Sequence, residues 1–340
     1  MGEHRSCSVT GRQLRGINRA GAEYGSTWEG WDNNPYFEWP SAAIRMNELD
    51  HFASKGMNVV RLPISWERLQ HTLNGPLDPE YRCNLEKYVA AATAAGFSVV
   101  IDLHNYGRYA TGTHDADGKQ VGSYTQRILG DGALTFAHLA DVWTKIAGLF
   151  VDNPRVIFGL MNEQHGADPT LDSTAVFTGY QTVLDAVRAT GTKQLVLFPN
   201  TWGSDTRHWE VWVPQGSGPL DAVAALNVKD SAGNLAFDMH SYMDTRQEDQ
   251  ETWLRDIEVV TKWAREERLP GERKCLFLSE LGSKLGAADV STLLTYINAN
   301  PDVWVGWAVW NLEPYSITST DKETGAVTDT PRMPWYAPFF

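Results

Sequence analysis

Two glutamates stand where the chain passes from apolar to polar: Glu163 in the run GLMNEQH and Glu280 in the run LSELG. The same transition recurs elsewhere. Arg61 interrupts VVRLP, His104 and Asn105 end IDLHN, and Asn162 and His165 flank Glu163. His240 and Tyr242 end DMHSY, and Trp310 and Asn311 close the last apolar run. Two carboxyl groups on separate strands are what cleavage of a glycosidic bond needs, one to protonate the leaving oxygen and one to attack the anomeric carbon. One must stay ionised while the other keeps a proton, and a guanidinium such as that of Arg61 beside one of them would set them apart. Asn162, next to Glu163, is placed to bind the sugar 2-hydroxyl. Each residue alone has a plainer reading. An arginine pairs with a carboxylate, a histidine satisfies a buried hydrogen bond, and a glutamate favours the start of the next helix. Their shared position at the C-terminal ends of their strands is what those readings leave unexplained.

Other chemistries fit less well. His104, His165 and His240 with the carboxylates offer ligands for zinc, yet the first strand carries no H-x-H pair and HExxH is absent. A Schiff-base enzyme needs a lysine at a strand end, and Lys274 precedes its strand instead. Neither GxGxxG nor GxxxxGK[ST] occurs, so no nucleotide site is expected. No metal or cofactor is called for.

The elements that must hold these residues alternate. Strand candidates fall at 14–18, 59–64, 98–104, 156–161, 194–199, 235–240, 276–279 and 303–310, several apolar on both faces, as strands between a barrel interior and a helical shell should be. Helices are expected at 41–55, 79–95, 134–151, 173–189, 247–267 and 287–298. Ser41 and Asp78 serve as N-caps, and Gly56 and Gly96 as stops. Eight such repeats without a linker predict an α/β fold, a single (β/α)8 barrel spanning 1–340, whose strand ends converge on one catalytic face. Long loops at 105–132 and 200–234 would lie on that face and shape a groove.

Composition agrees. The chain has 340 residues and a formal charge of −13, which repels phosphate and argues against nucleic acid and anionic membranes. No apolar stretch reaches the roughly 20 residues that span a bilayer. The opening MGEHRSCSVT lacks the apolar core of a signal peptide, leaving an intracellular protein or a mature secreted form. No N-x-S/T sequon adds a compartment clue. Three cysteines, Cys7, Cys83 and Cys275, leave at least one unpaired, and Cys275 reads most simply as a small buried residue. Fourteen tryptophans are many. Trp31, Trp202, Trp209 and Trp212 lie in polar, glycine-rich segments, where flat faces suit sugar rings as well as other planar or apolar ligands.

The motifs RLPISW from Arg61, IDLHNY from Ile101, GLMNEQH from Gly159, DMHSY from Asp238, SELG from Ser279, the closing Trp310 and the opening GINRAG together resemble glycoside hydrolase family 5, most nearly its secreted endoglucanases. The resemblance runs from the first strand to the eighth. It implies a barrel that hydrolyses β-1,4-glucosidic bonds with retention, internally in cellulose or mixed-linkage glucan. Glu163 would be the acid/base and Glu280 the nucleophile, held by Arg61 and Tyr242. His104, Asn162 and His240 would orient the sugar and the two carboxylates. Trp310 would floor the subsite before the cut, Trp202 would stack on the leaving side, and Asn105 is counted with them as substrate-binding. An extracellular monomer with a β-glucan partner is expected. The same chemistry on mannan, xyloglucan or another β-glycan is the nearest alternative, and a glycan-binding barrel without turnover the next. One departure is Gln164, where the family usually places a proline, which would stiffen that turn.

Overall fold

The computed structural model describes residues 7, 11–24, 37–114, 120–164, 173–200, 221–244, 250–266 and 274–340. Eight strands form a closed, all-parallel barrel: β1 (Leu14–Asn18), β2 (Val59–Ile64), β3 (Ser98–Leu103), β6 (Val156–Gly159), β7 (Val196–Phe198), β8 (Leu235–Tyr242), β9 (Cys275–Gly282) and β10 (Trp304–Val309). The first of these pairs with the last, Leu14 opposite Gly306. The expected (β/α)8 fold is what the chain adopts. Gly306 serves the seam and Gly16 the neighbouring β1–β2 pair: a Cβ on either would stand within 2 Å of a backbone oxygen, that of Leu14 or Val59 respectively.

Helices alternate with the strands as their caps dictate. The side chain of Ser41 accepts from the backbone of Ile44 ahead of α1 (Ala42–Ser54). Asp78 accepts from Tyr81 ahead of α3 (Pro79–Ala94), with proline in the first turn, where its missing N–H costs nothing. Thr135 and His138 form a reciprocal capping box ahead of α4 (Phe136–Leu149). Then come α5 (Ser173–Ala189), α7 (Gln250–Arg265) and α8 (Ala287–Ala299). Between them lie two short segments, α2 (Trp66–Leu69) and α6 (Asp221–Ala224).

Three features depart from the sequence reading. The segment expected as the loop 105–132 contains an antiparallel hairpin, β4 (Arg108–His114) with β5 (Gln120–Ile128). A second hairpin, β11 (Thr318–Thr320) with β12 (Val327–Asp329), follows the barrel, and α9 (Met333–Tyr336) leads the chain back to its start. There the Phe340 ring lies 5.0 Å from that of Trp307, and Arg15 donates to the carbonyl of Phe339. Third, Cys275 is not a lone core residue but is disulfide-bonded to Cys7, with Cα atoms 5.6 Å apart, while Cys83 is exposed and free.

The barrel interior is layered. Leu14, Val59, Val100, Ile157, Ala236, Phe277 and Val305 form an apolar plug at the lower end. Two residues further along each strand point to the same side. That step takes Val59 to Arg61, Val100 to Asp102, Ala236 to Asp238 and Phe277 to Ser279, all buried. The dry plug thus supports a polar floor. A separate apolar shell, including Trp143, Tyr180, Phe198 and Phe237, glues helices to the outside of the strands.

Candidate active site

Arg61 is the hub of the polar floor and fully buried. Its Nη1 donates to Glu280 Oε1 at 2.6 Å and to Asn18 Oδ1 at 2.8 Å. Its Nη2 donates to Asn162 Oδ1 at 2.7 Å and pairs with Asp102 Oδ1 at 3.0 Å. One guanidinium therefore sets the positions of residues from four strand ends. Its planar fork of donors makes that possible, where a lysine would offer a single point of charge.

Glu280 and Glu163 face one another across this hub. Tyr242 donates to Glu280 Oε2 at 2.6 Å. His240 lies between the two glutamates, its Nδ1 2.7 Å from Glu163 Oε1 and 3.5 Å from Glu280 Oε2. On its other side Nε2 is 3.0 Å from the hydroxyl of Ser279, which also bonds Asp238. Burial opposes ionisation of Glu280, but the charges of His240, Arg61 and His104 and the Tyr242 hydrogen bond outweigh it and hold the carboxyl low, at about 2. Burial likewise opposes the imidazolium of His240, yet Glu280, Glu163 and Asp238 push it up to about 9. The Glu163 side chain keeps 21% of its surface open, against 5% for Glu280. One carboxylate is thus sunk and firmly anionic, and the other opens to the outside.

His104 forms the adjoining wall. Burial works against its charge, but the hydrogen bond to Asp102, 2.7 Å from Nδ1, raises its pKa. Its Nε2 is 3.3 Å from Asn162 Nδ2 and 3.2 Å from the hydroxyl of Tyr106. Trp310, half-buried, lies nearly parallel to the His104 ring at 5.4 Å.

Of the residues singled out from the sequence, Arg61, His104, Asn162, Glu163, His240, Tyr242, Glu280 and Trp310 come together here. Asn105 does not belong to the groove. It is fully buried, accepts from the backbone of Trp66 at 2.8 Å and donates to Glu67 at 2.5 Å. With both ends of its amide engaged, it braces the foot of β4, where Glu67 also accepts from Ala110. Trp202 and His165 lie outside the described residues, as do Trp31, Trp209 and Trp212.

Sequence reading gave no role to Asn18, Asp102, Asp238, Ser279 or Tyr106. A signal for two of them was present: Asp-x-His occurs in both DLH and DMH, at 102–104 and 238–240. In a strand, residues two apart share a face. Each aspartate therefore lies beneath its histidine, directly bonded at Asp102 and linked through Ser279 at Asp238.

Glu163, His240 and Glu280 place one potential metal ligand each within 4.8 Å of one another. Their polar atoms already engage one another, with Glu163 Oε1 2.7 Å from His240 Nδ1. The Arg61 charge already occupies Glu280.

Comparison with known proteins places this geometry. The family model described as cellulase (glycosyl hydrolase family 5) matches residues 17–313. Endo-beta-1,4-glucanase A of Emericella nidulans is 30% identical over 88% of this chain and 83% of its own. A protein of Phanerodontia chrysosporium named manganese dependent endoglucanase Eg5A is 28% identical over 90% of this chain and 74% of its own. Among solved structures, an endo-beta-1,4-glucanase from Xanthomonas axonopodis pv. citri superposes with a TM-score of 0.78 at 28% identity, covering 96% of this chain and 98% of that one. The structure of XacCel5A with cellopentaose gives 0.77 at 28% identity, covering 96% and 99%.

Proposed function

This chain belongs to the cellulase family, glycosyl hydrolase family 5, and is a glycoside hydrolase; on that footing we propose that it cleaves β-1,4-glucosidic bonds within glucan chains, with retention, through Glu280 as nucleophile and Glu163 as acid/base. The observation that carries the reading is the spacing of the two carboxyls: oxygens of Glu163 and Glu280 lie within 4.8 Å of one another, with His240 alongside. Retaining enzymes keep their carboxyl groups about 5–5.5 Å apart, whereas inverting ones need roughly 6.5–9.5 Å to admit a water.

The steps follow from the two environments. A Glu280 oxygen attacks the anomeric carbon, the bond from that carbon to the leaving sugar oxygen breaks, and Glu163 gives its proton to that oxygen. Glu163, now a carboxylate, takes a proton from a water. The water oxygen then attacks the anomeric carbon and releases Glu280. Arg61 and Tyr242 keep the nucleophile charged and aimed, and His240 fixes the carboxyl of Glu163 by its Nδ1. Asn162 serves the 2-hydroxyl and Trp310 floors the subsite before the cut.

The substrate reading rests on the named relatives and on the cellopentaose held by XacCel5A. Secretion is supported by the Cys7–Cys275 disulfide, which persists in oxidising compartments. No helix among the described residues is long and apolar enough to cross a membrane. One catalytic domain is supported by the pairing of β1 with β10.

The test is fragmentation of soluble polysaccharides (carboxymethylcellulose, mixed-linkage β-glucan, xyloglucan and mannan) by the native protein, Glu163→Gln and Glu280→Gln, with the anomer released followed by NMR. Rapid cutting of the two glucans to the β-anomer, lost in both variants, is expected. Release of the α-anomer, or a Glu280→Gln protein of near-native activity, would overturn the mechanism. Faster cutting of mannan or xyloglucan would move the substrate.

A further inference from the structure

Glu163 has a backbone φ of +33°, in the left-handed region that non-glycine residues enter at a cost and hold only when the surroundings impose it. The next residue, Gln164, is fully buried. Its Oε1 accepts the hydroxyl of Tyr180. Tyr180 is itself immobilised: its ring packs edge-on against Phe136 of α4 at 5.1 Å and against Phe198 of β7 at 5.9 Å. The stem of Gln164 fills the space over Gly107. A Cβ there would lie 3.0 Å from Gln164 Cδ and 3.1 Å from Cγ. Gly107 follows Tyr106, both with positive φ, in the turn that carries the Tyr106 hydroxyl to His104.

The other half of the Gln164 amide, Nε2, has no hydrogen-bond partner among the described residues. A buried amide with one end unsatisfied is a poor choice for stability, since an apolar residue of that size would avoid the desolvation cost. What Gln164 provides instead is a fixed link from α5 to the peptide that sets the direction of Glu163.

We propose that Gln164 is a positioning residue for Glu163: the Tyr180 hydroxyl and the Gly107 turn hold it from two sides, and it in turn holds the left-handed backbone that aims the Glu163 carboxyl at the leaving oxygen. His240 fixes the far end of the same side chain. The clamp does by a hydrogen bond what a proline at this position would do by its ring. The inference rests on the reading of Glu163 as acid/base.

Tyr180→Phe removes the hydroxyl and keeps the ring, and Gln164→Met removes the amide and keeps the stem. Each is assayed for kcat/KM on two β-cellobiosides, one with a phenyl leaving group that needs a proton and one with 2,4-dinitrophenyl that does not. This ratio reports the first bond cleavage only. At least a tenfold loss on the phenyl substrate is expected, with the dinitrophenyl substrate within about threefold and the alkaline limb of the phenyl pH profile displaced. Equal losses on both substrates would mean that Gln164 serves only the fold, and no loss would mean that it serves nothing here; either overturns the proposal. Glu163→Gln run alongside separates the two readings. If it discriminates between leaving groups and the clamp variants do not, the clamp falls alone. If it does not discriminate, Glu163 is not the acid.

Discussion

Replacing Glu23 by glutamine should stabilise the protein at alkaline pH and leave it nearly unchanged in acid. Glu23 follows β1 and is buried. Its Oε2 accepts the backbone N–H of Gly21 at 2.6 Å, and its Oε1 has no hydrogen-bond partner among the described residues. Burial, only partly offset by His104, the Gly21 hydrogen bond and Arg19, pushes its pKa from 4.5 to about 7. Below pH 4.5 the carboxyl is protonated folded and unfolded alike. Between 4.5 and 7 the unfolded chain releases the proton while the folded chain retains it, so stability falls as pH rises. Above 7 the full cost is present. A gap of roughly 2.5 pH units at about 1.4 kcal/mol each makes it about 3 kcal/mol. A glutamine can keep its carbonyl on Gly21, turns an amide into the space of Oε1, and carries no charge. Urea unfolding of native and Glu23→Gln protein at pH 4.5, 6 and 8 should show the two curves meeting in acid and diverging by about 3 kcal/mol at pH 8. Parallel curves, or a variant weaker at every pH, would refute the reasoning.

For the native protein the same linkage predicts a stability maximum near pH 4.5. Glu67, which burial pushes up to about 7 against the pull of its partners, also loses stabilisation above 4.5, and His240 loses its contribution as pH rises through about 9. Glu280, held at about 2, is lost only as pH falls from 4.5 through 2. Equilibrium unfolding from pH 2 to 9 would show a flat profile if these groups were not so perturbed. Tyr242→Phe deletes the 2.6 Å hydrogen bond to Glu280 and should lower kcat/KM by about tenfold to a hundredfold, matching the roughly 1.5–3 kcal/mol of a bond to a charged group; an unchanged rate would remove Tyr242 from the machinery. Exhaustive chelation followed by assay on mixed-linkage β-glucan should leave activity intact, and restoration by manganese of a lost activity would show that the Glu163, His240 and Glu280 trio does accept a cation. Cys7→Ala should cost about 3–5 kcal/mol, because the bridge closes a loop of 268 residues in the unfolded chain, and a midpoint unaltered in urea would show that the bridge contributes nothing.

Much of this was legible because the signals are local. Helix caps at Ser41 and Asp78 and the apolar strands put the elements within a few residues of where they lie. Carboxylates at strand ends of one barrel converge on the same end, so the facing of Glu163 and Glu280 was legible. What failed depended on direction or distance. Asn105 directly follows His104, so strand alternation turns its amide to the opposite side, to Trp66 and Glu67, and a strand-end position alone does not make a site residue. The hairpin β4–β5 is rich in Thr, Gly and Gln and shows no apolar alternation, so its strands looked like loop. Cys7 and Cys275 are neighbours only because the barrel closes. The aspartates of the floor, Asp102 and Asp238, were written in the Asp-x-His repeats, but their meaning depends on which interior layer each strand has reached.

The pairing of β1 with β10 also governs how the molecule comes into being. β1 is made before the rest of the barrel, and its second neighbour some 290 residues later, since Leu14 lies opposite Gly306. At synthesis rates of about 5–20 residues per second, that edge waits on the order of 15–60 s with its backbone unpaired. Every other neighbour in the barrel is the next barrel strand along the chain, so the growing sheet can curl in order while one edge of β1 stays open. Until β10 arrives, the nascent barrel presents an open strand margin to chaperones and to its own kind, and only closure conceals it.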